Sequence, residues 1–208
     1  MKIRVFCVIC VLLVGASVSY AQNQTLPSDG VDARANPKDF SKQLSDPDPN
    51  VRRRSAEALA RLAATDQLKL VEGYQFQEKN KEVRLAMDWA LYRMGQSTAL
   101  YRIVKELDSG RQDQAIGYLS ELESPEDLYA FLEKSNNPPR INAGLLKALG
   151  HIGDAKTLDL VKPFRDSHQP YVAEAAEIAH DEIEKRLAEP PATTRARPRT
   201  VEKPTDKP

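Results

Sequence analysis

Apolar residues return along this chain in two alternating patterns, one long and one short. The long pattern first appears at Val51 in "VRRRSAEALARLA", where positions 51, 55, 58, 59 and 62 are separated by four, three, one and three residues. That spacing puts them on one face of an α-helix. It begins again at Val83 ("VRLAMDWALYRMG"), Arg111 ("RQDQAIGYLSELE"), Ile141 ("INAGLLKALGHIG") and Val172 ("VAEAAEIAHDEIE"), at intervals of 32, 28, 30 and 31 residues. Superposed, the copies give a small column of Ala58, Ala90, Tyr118, Ala148 and Ala179. Beside it run two aliphatic columns, one of Leu59, Leu91, Leu119, Leu149 and His180, the other of Leu62, Met94, Leu122, Ile152 and Ile183.

Ahead of each long stripe lies a shorter one: Phe40 and Leu44; Leu68 and Val71; Leu100, Ile103, Val104 and Leu107; Leu128, Phe131 and Leu132; Leu158, Val161 and Phe164. Between short and long stripes stand "DPDPN" (46–50), "EKNKE" (78–82), "DSG" (108–110), "NNPP" (136–139) and "DSHQP" (166–170). Pro and Gly in such segments end one helix and start the next. Each unit therefore predicts two antiparallel helices joined by a short turn. No stretch alternates for long enough to predict a strand. The expected fold is all-α, with each hairpin too small to bury its own face and the stack supplying a shared core.

Leu44, the acidic turn residues Asp46 and Asp48, Val51-Arg52, Ala58-Leu59, Leu62 and the "ALGHIGD" segment (148–154) resemble HEAT repeats, in particular the short bacterial type similar to phycobilisome-lyase repeats. The resemblance covers about residues 38 to 188 and implies an α-α superhelix, a right-handed solenoid of about five HEAT-like hairpins. Repeats one, two and four carry the pattern best. In such proteins the turn Asp and the helix-start Arg commonly form a ladder between neighbouring repeats, which makes Arg52 and Arg84 expected structural residues. The second helices are expected to line the concave side. The fifth repeat has His180 in the Leu column and is rich in acidic residues, as suits a terminal helix with no successor.

The ends of the chain read differently. Residues 1–21, "MKIRVFCVICVLLVGASVSYA", combine Lys2 and Arg4, an apolar run and small residues at Ser19 and Ala21, the features of a signal peptide cleaved after Ala21. The apolar run is shorter than the roughly twenty residues of a membrane span. Both cysteines, Cys7 and Cys10, fall in this leader, so the expected mature chain has none. A secreted or periplasmic location follows as the expectation, with no disulfide or thiolate chemistry. Residues 22–37 form a polar linker, and residues 189–208, with five prolines, a disordered tail whose Arg195, Arg197, Arg199, Lys203 and Lys207 outnumber its acids.

Charge and motifs narrow the function classes. Without the leader's two cations the chain holds 28 basic and 30 acidic residues, a net charge of −2. Such a balance argues against a nucleic-acid partner, whose phosphates reward a basic surface. The local cluster Arg52, Arg53, Arg54 and Arg61 reads as a solvated helix face, with Arg61 placed to pair with Glu57 at i, i+4. Three well-separated histidines, His151, His168 and His180, offer no convergent metal set, although His180 and Glu184 share a helix face. The paired His-Glu motifs of HEAT-type iron hydroxylases are missing. No phosphate loop or nucleophile elbow is present. No catalytic residues, cofactor or metal are therefore expected, and the chain reads as a monomeric, non-enzymatic protein-binding scaffold. The other readings are an accessory enzyme with a pocket between repeats two and three, and a structural spacer in the cell envelope.

The register also locates a candidate surface. Trp89 shares a column with Glu57, Gly117, Lys147 and Ile178, where a Trp is out of pattern. With Tyr92 and Arg93 beside it, and Tyr118 in the Ala column of the next repeat, Trp89 has the composition of an interaction hot spot. The partner-binding residues expected are thus Trp89, Tyr92, Arg93 and Tyr118. The alternative is that Trp89 fills a gap between repeats two and three, since Trp is usually well buried.

Overall fold

A computed structural model describes residues 36–134 and 136–188, and these form helices joined by turns. The expected signal peptide, most of the expected linker and the expected tail lie outside the described residues. Ten α-helices make five hairpins: α1 (Pro37–Gln43) with α2 (Pro49–Arg61), α3 (Leu68–Gln77) with α4 (Lys81–Arg93), α5 (Thr98–Glu106) with α6 (Gln112–Leu119), α7 (Glu126–Leu132) with α8 (Pro139–Ile152), and α9 (Ala155–Val161) with α10 (Pro170–Ala188). Short 3-10 turns at Thr65–Gln67 and Lys162–Asp166 precede α3 and follow α9. The fold is an all-helical, HEAT-like α-solenoid. Its second helices begin where the five long stripes begin.

Local chemistry sets the helix starts. The Asp48 side chain accepts the Asn50 amide, and Asn80 accepts the amides of Glu82 and Val83, each satisfying donors that the first turn leaves orphaned. Prolines at the first position of α2, α8 and α10 begin those helices where a missing N–H costs nothing. Asp154 and Thr157 form a reciprocal capping box at α9. Equivalent ends close α2 and α4: Ala64 N–H reaches the Leu59 carbonyl and Gln96 N–H the Leu91 carbonyl, each across a left-handed residue, Ala63 at φ 45° and Gly95 at φ 100°. Gly95 adopts that conformation freely, while Ala63 holds it against the clash of its Cβ.

Packing follows the columns. Leu59, Leu91, Leu119 and Leu149 are fully buried, and so are Ala58, Ala90, Ala148 and Ala179. Together with Leu44, Val71, Ile103, Leu128 and Val161 from the first helices, all of these except Ala58 form one continuous core. Small residues let the second helices approach closely. A Cβ on Gly150 of α8 would lie 3.1 Å from the Ala179 Cα of α10.

The turns are laced together, with partners other than the expected turn aspartates. Arg52 donates through Nε and Nη2 to both carboxylate oxygens of Glu78, at 2.7 and 3.0 Å, and through Nη1 to the carbonyls of Asp46 and Pro47. Arg84 donates to the Glu78 carbonyl. The ladder residue in the second turn is therefore Glu78. Asp46 and Asp48 spend their carboxylates on the amides of Asp48 and Asn50, which leaves the bidentate role to the longer side chain of the next turn. Burial raises the Glu78 carboxyl, but the Arg52 guanidinium and the Asn80 and Lys79 amides hold it below its ordinary value. Further along, Gln114 donates to the Glu82 carbonyl, and Arg140 to that of Ser109.

At the opposite edge the C-terminal ends of the second helices gather. Arg186 of α10 caps α8 by donating to the carbonyls of Gly150, His151 and Gly153. Asp154, just past α8, accepts from Tyr129 of α7, while Lys156 pairs with Glu126 at 3.6 Å. Asp127 accepts from Tyr92 of α4 at 2.7 Å. This chain of contacts makes a continuous rim from the end of α10 back to the end of α4. Among the described residues, no helix is long and apolar enough to cross a membrane.

Candidate functional site

The four residues expected at the surface are brought together but divided between core and rim. Trp89 is 2% exposed and Tyr118 is 7% exposed. The two rings stack with centroids 5.6 Å apart and planes within 2° of parallel, and Tyr92 stacks on Trp89 at 5.7 Å. The Arg93 guanidinium lies 5.7 Å from the Trp89 ring centroid. Placement of Trp89 and Tyr118 on a partner-facing surface is therefore corrected: they fill the space between α4 and α6, which touch far less than α2 and α4 do. Large side chains occupy positions where other repeats have Ala, Glu or Lys because these two helices stand further apart.

A polar network closes over the stack. Tyr118 donates its hydroxyl proton to Glu57 of α2 at 2.8 Å, and Gln114 donates to the Tyr118 oxygen at 2.9 Å. Burial, then the Glu57 charge, pushes the Tyr118 hydroxyl well above its ordinary pKa, so it remains a donor. Glu57 pairs at 3.8 Å with Arg53. The expected Arg61–Glu57 pair does not form, because the Glu57 carboxylate turns toward Arg53 and Tyr118 while Arg61 faces solvent. A third-hairpin side chain that reaches the first hairpin over the second requires this face to curve inward.

Tyr92 and Arg93 are half-buried and line a cleft of about 430 Å³ with Ala63, Gly95, Ser97, Glu123, Ser124 and Asp127. Four successive hairpins contribute to it: the end of α2, the end of α4 with its following turn, the turn after α6, and Asp127 in the first turn of α7. Arg93 pairs with Glu123 at 3.1 Å, and the Glu123 side chain remains 84% exposed. Burial and the hydrogen bond to Asp127 push Tyr92 up to about 12. A phenol held protonated and donating is a poor general base near neutral pH. The cleft is open to solvent along one side.

These features match known repeats in part. Residues 37–114, the first two hairpins, α5 and the start of α6, match the family model described as HEAT repeats. That part of the chain is similar to HEAT repeats. The whole described fold continues the same hairpin stack beyond the matched residues. Among solved structures the chain is similar to human deoxyhypusine hydroxylase in complex with glycerol, at 18% identity, covering 74% of this chain and 75% of that chain with a TM-score of 0.34. A likeness at that level carries no argument about activity. A search of curated proteins found no match.

Among the described residues, His180, Asp181 and Glu184 bring potential ligand atoms within 4.8 Å of one another. His180 meets Asp181 through Nδ1 and Glu184 through Nε2, each at 3.7 Å. The two carboxylates thus address opposite ring nitrogens, whereas one ion takes only one nitrogen of an imidazole. His180 is also less exposed than an open terminal face implies, with 17% of its side chain in solvent. The residues sequence reasoning missed are Glu123 and Asp127. Glu123 sits in the turn after α6 and Asp127 in the first turn of α7, and their counterpart in the sequence is only a run of acids, "ELESPED" (121–127).

Proposed function

We propose that this chain is an exported, non-enzymatic protein-binding module that engages its partner at the cleft of Tyr92 and Arg93. The observation that carries this reading is that helix ends and turns of four successive hairpins converge on one open cleft, with an aromatic and an arginine held in place by a stacked core beneath them. Pre-set aromatic and Arg side chains lose little entropy on binding and dominate interface energies. The binding surface is thus the rim of the second helices, shifted from the Trp89 face toward their C-terminal ends. Export rests on the character of residues 1–21. The likeness to phycobilisome-lyase-type repeats lends the scaffold and no lyase chemistry.

Affinity capture from an extract of the native envelope tests the reading. The intact chain is expected to retain a partner that the Tyr92→Ala, Arg93→Ala double variant loses, with both proteins equally helical by circular dichroism. Equal capture by the two removes the cleft from the binding surface. Mass measurement of the protein recovered from outside the cytoplasm checks export, which predicts a chain beginning at Gln22.

A further inference from the structure

The cleft's electrostatics favour one class of occupant. The C-terminal ends of α2 and α4 meet the N-terminal ends of α5 and α7 at the cleft, so the helix dipoles offset one another and its side chains set its sign. Glu123 and Asp127 add two carboxylates, and Arg93 is already committed to Glu123 and to the Trp89 face. Because the Glu123 carboxylate is largely in solvent, it can accept a second guanidinium fork.

The rim described above leads from this cleft to the end of α10. Arg186 is tied to the Gly153 carbonyl, and the chain leaves α10 after Ala188 on that same edge. Neighbouring helices stand about 8–10 Å apart, so the path from α10 past α8 and α6 to the cleft is roughly 20–30 Å. Arg195, Arg197 and Arg199 follow Ala188 by seven to eleven residues, a reach of at most about 23–40 Å. In a β-extended segment alternate residues face one way, so all three guanidinium groups can face the side of the cleft that carries Glu123 and Asp127. Pro190, Pro191 and Pro198 lower the entropy lost on docking an extended segment.

We propose that the cleft beside Tyr92 and Asp127 takes an extended arginine-rich segment, and that the chain's own residues Arg195–Arg199 dock there until an outside partner displaces them. This rests on the cleft being the binding site and supplies its regulation.

The single Trp89 lies directly beneath Tyr92 and Arg93, so it reports on an occupant of the cleft. A nitroxide is attached at Thr200→Cys in the full chain carrying Cys7→Ser and Cys10→Ser, and Trp89 emission is compared with that of a diamagnetic label at the same position. The expected result is loss of emission that does not vary with protein concentration. It is relieved by 1 M NaCl, where the screening length is about 3 Å, and by excess synthetic peptide of residues 193–200. Arg195→Glu, Arg197→Glu, Arg199→Glu abolishes it, as do Glu123→Lys and, separately, Asp127→Asn, each with unchanged helicity. No loss of emission overturns the proposal. Loss that grows with protein concentration overturns it in favour of docking on a second copy, and loss insensitive to these charge changes overturns the cleft as the docking site. If quenching is absent but capture still fails in the Tyr92→Ala, Arg93→Ala variant, the tail inference falls while the binding reading stands.

Discussion

The junction of α8 with α10 and that of α4 with α6 occupy equivalent places in the stack and are filled in opposite ways. At the first, Ala148, Gly150 and Ala179 bring the helices so close that a Cβ has no room. At the second, Tyr118 stands in the Ala column and Trp89 in a column of smaller residues, and two stacked rings span a wider gap. The repeat register fixes where helices lie but not how far apart they are. Side-chain volume sets that spacing, and the spacing decides which faces remain open as a cleft.

The largest expected effect comes from emptying the wide junction. Trp89→Ala should cost about 3–5 kcal/mol, as for other large core aromatics, read as a fall in the urea midpoint. The tight junction fails in the other direction: Gly150→Val should cost about 1–3 kcal/mol through overpacking, measured in the same titration. Should Trp89→Ala cost no more than a surface change, the aromatic filling is not what holds α4 and α6. Tyr118→Phe keeps the ring and removes the hydroxyl's bonds to Glu57 and Gln114. It should cost about 1–2 kcal/mol, and a double-mutant cycle with Glu57→Gln isolates the share of the Glu57 bond.

The Arg52–Glu78 lock gives a pH test in the first two hairpins. The Glu78 carboxyl is held below its ordinary 4.5 in the folded chain, so its contribution is present above that value and is lost as pH falls through the folded one. Arg52→Gln should flatten this acid-side loss in stability measured between about pH 5 and pH 2. An unchanged slope would assign the acid sensitivity to other carboxylates. The smallest effect is a gain: Ala63→Gly should stabilise by about 0.5–1 kcal/mol, because relief of the left-handed Cβ clash exceeds the added chain entropy. Gly95→Ala, at the equivalent place, should lose a similar amount.

The hairpins were legible because each position in the apolar columns repeats the same local contact, and five copies average out exceptions such as Tyr118 and His180. Trp89 was less legible, since its neighbours in register, Gly117, Lys147 and Ile178, are exposed. What buries it is a residue of the next repeat laid over it, a pairing that local spacing does not encode. A physical signal was nonetheless present: two oversized residues in adjacent copies, each in a column of smaller ones, are what a widened junction needs. Glu78 read as turn punctuation because its partner lies 26 residues away. Glu123 lies in the turn after the short α6 and Asp127 in the first turn of α7, ahead of the apolar stripe that begins at Leu128.

The Tyr118–Glu57 hydrogen bond joins residues 61 positions apart and skips an entire repeat. Linear arrays ordinarily unzip because each unit answers only to the one beside it. Here the first hairpin cannot peel away without disturbing the third, so hydrogen exchange should find the front three units opening as a single block while the last helix frays alone.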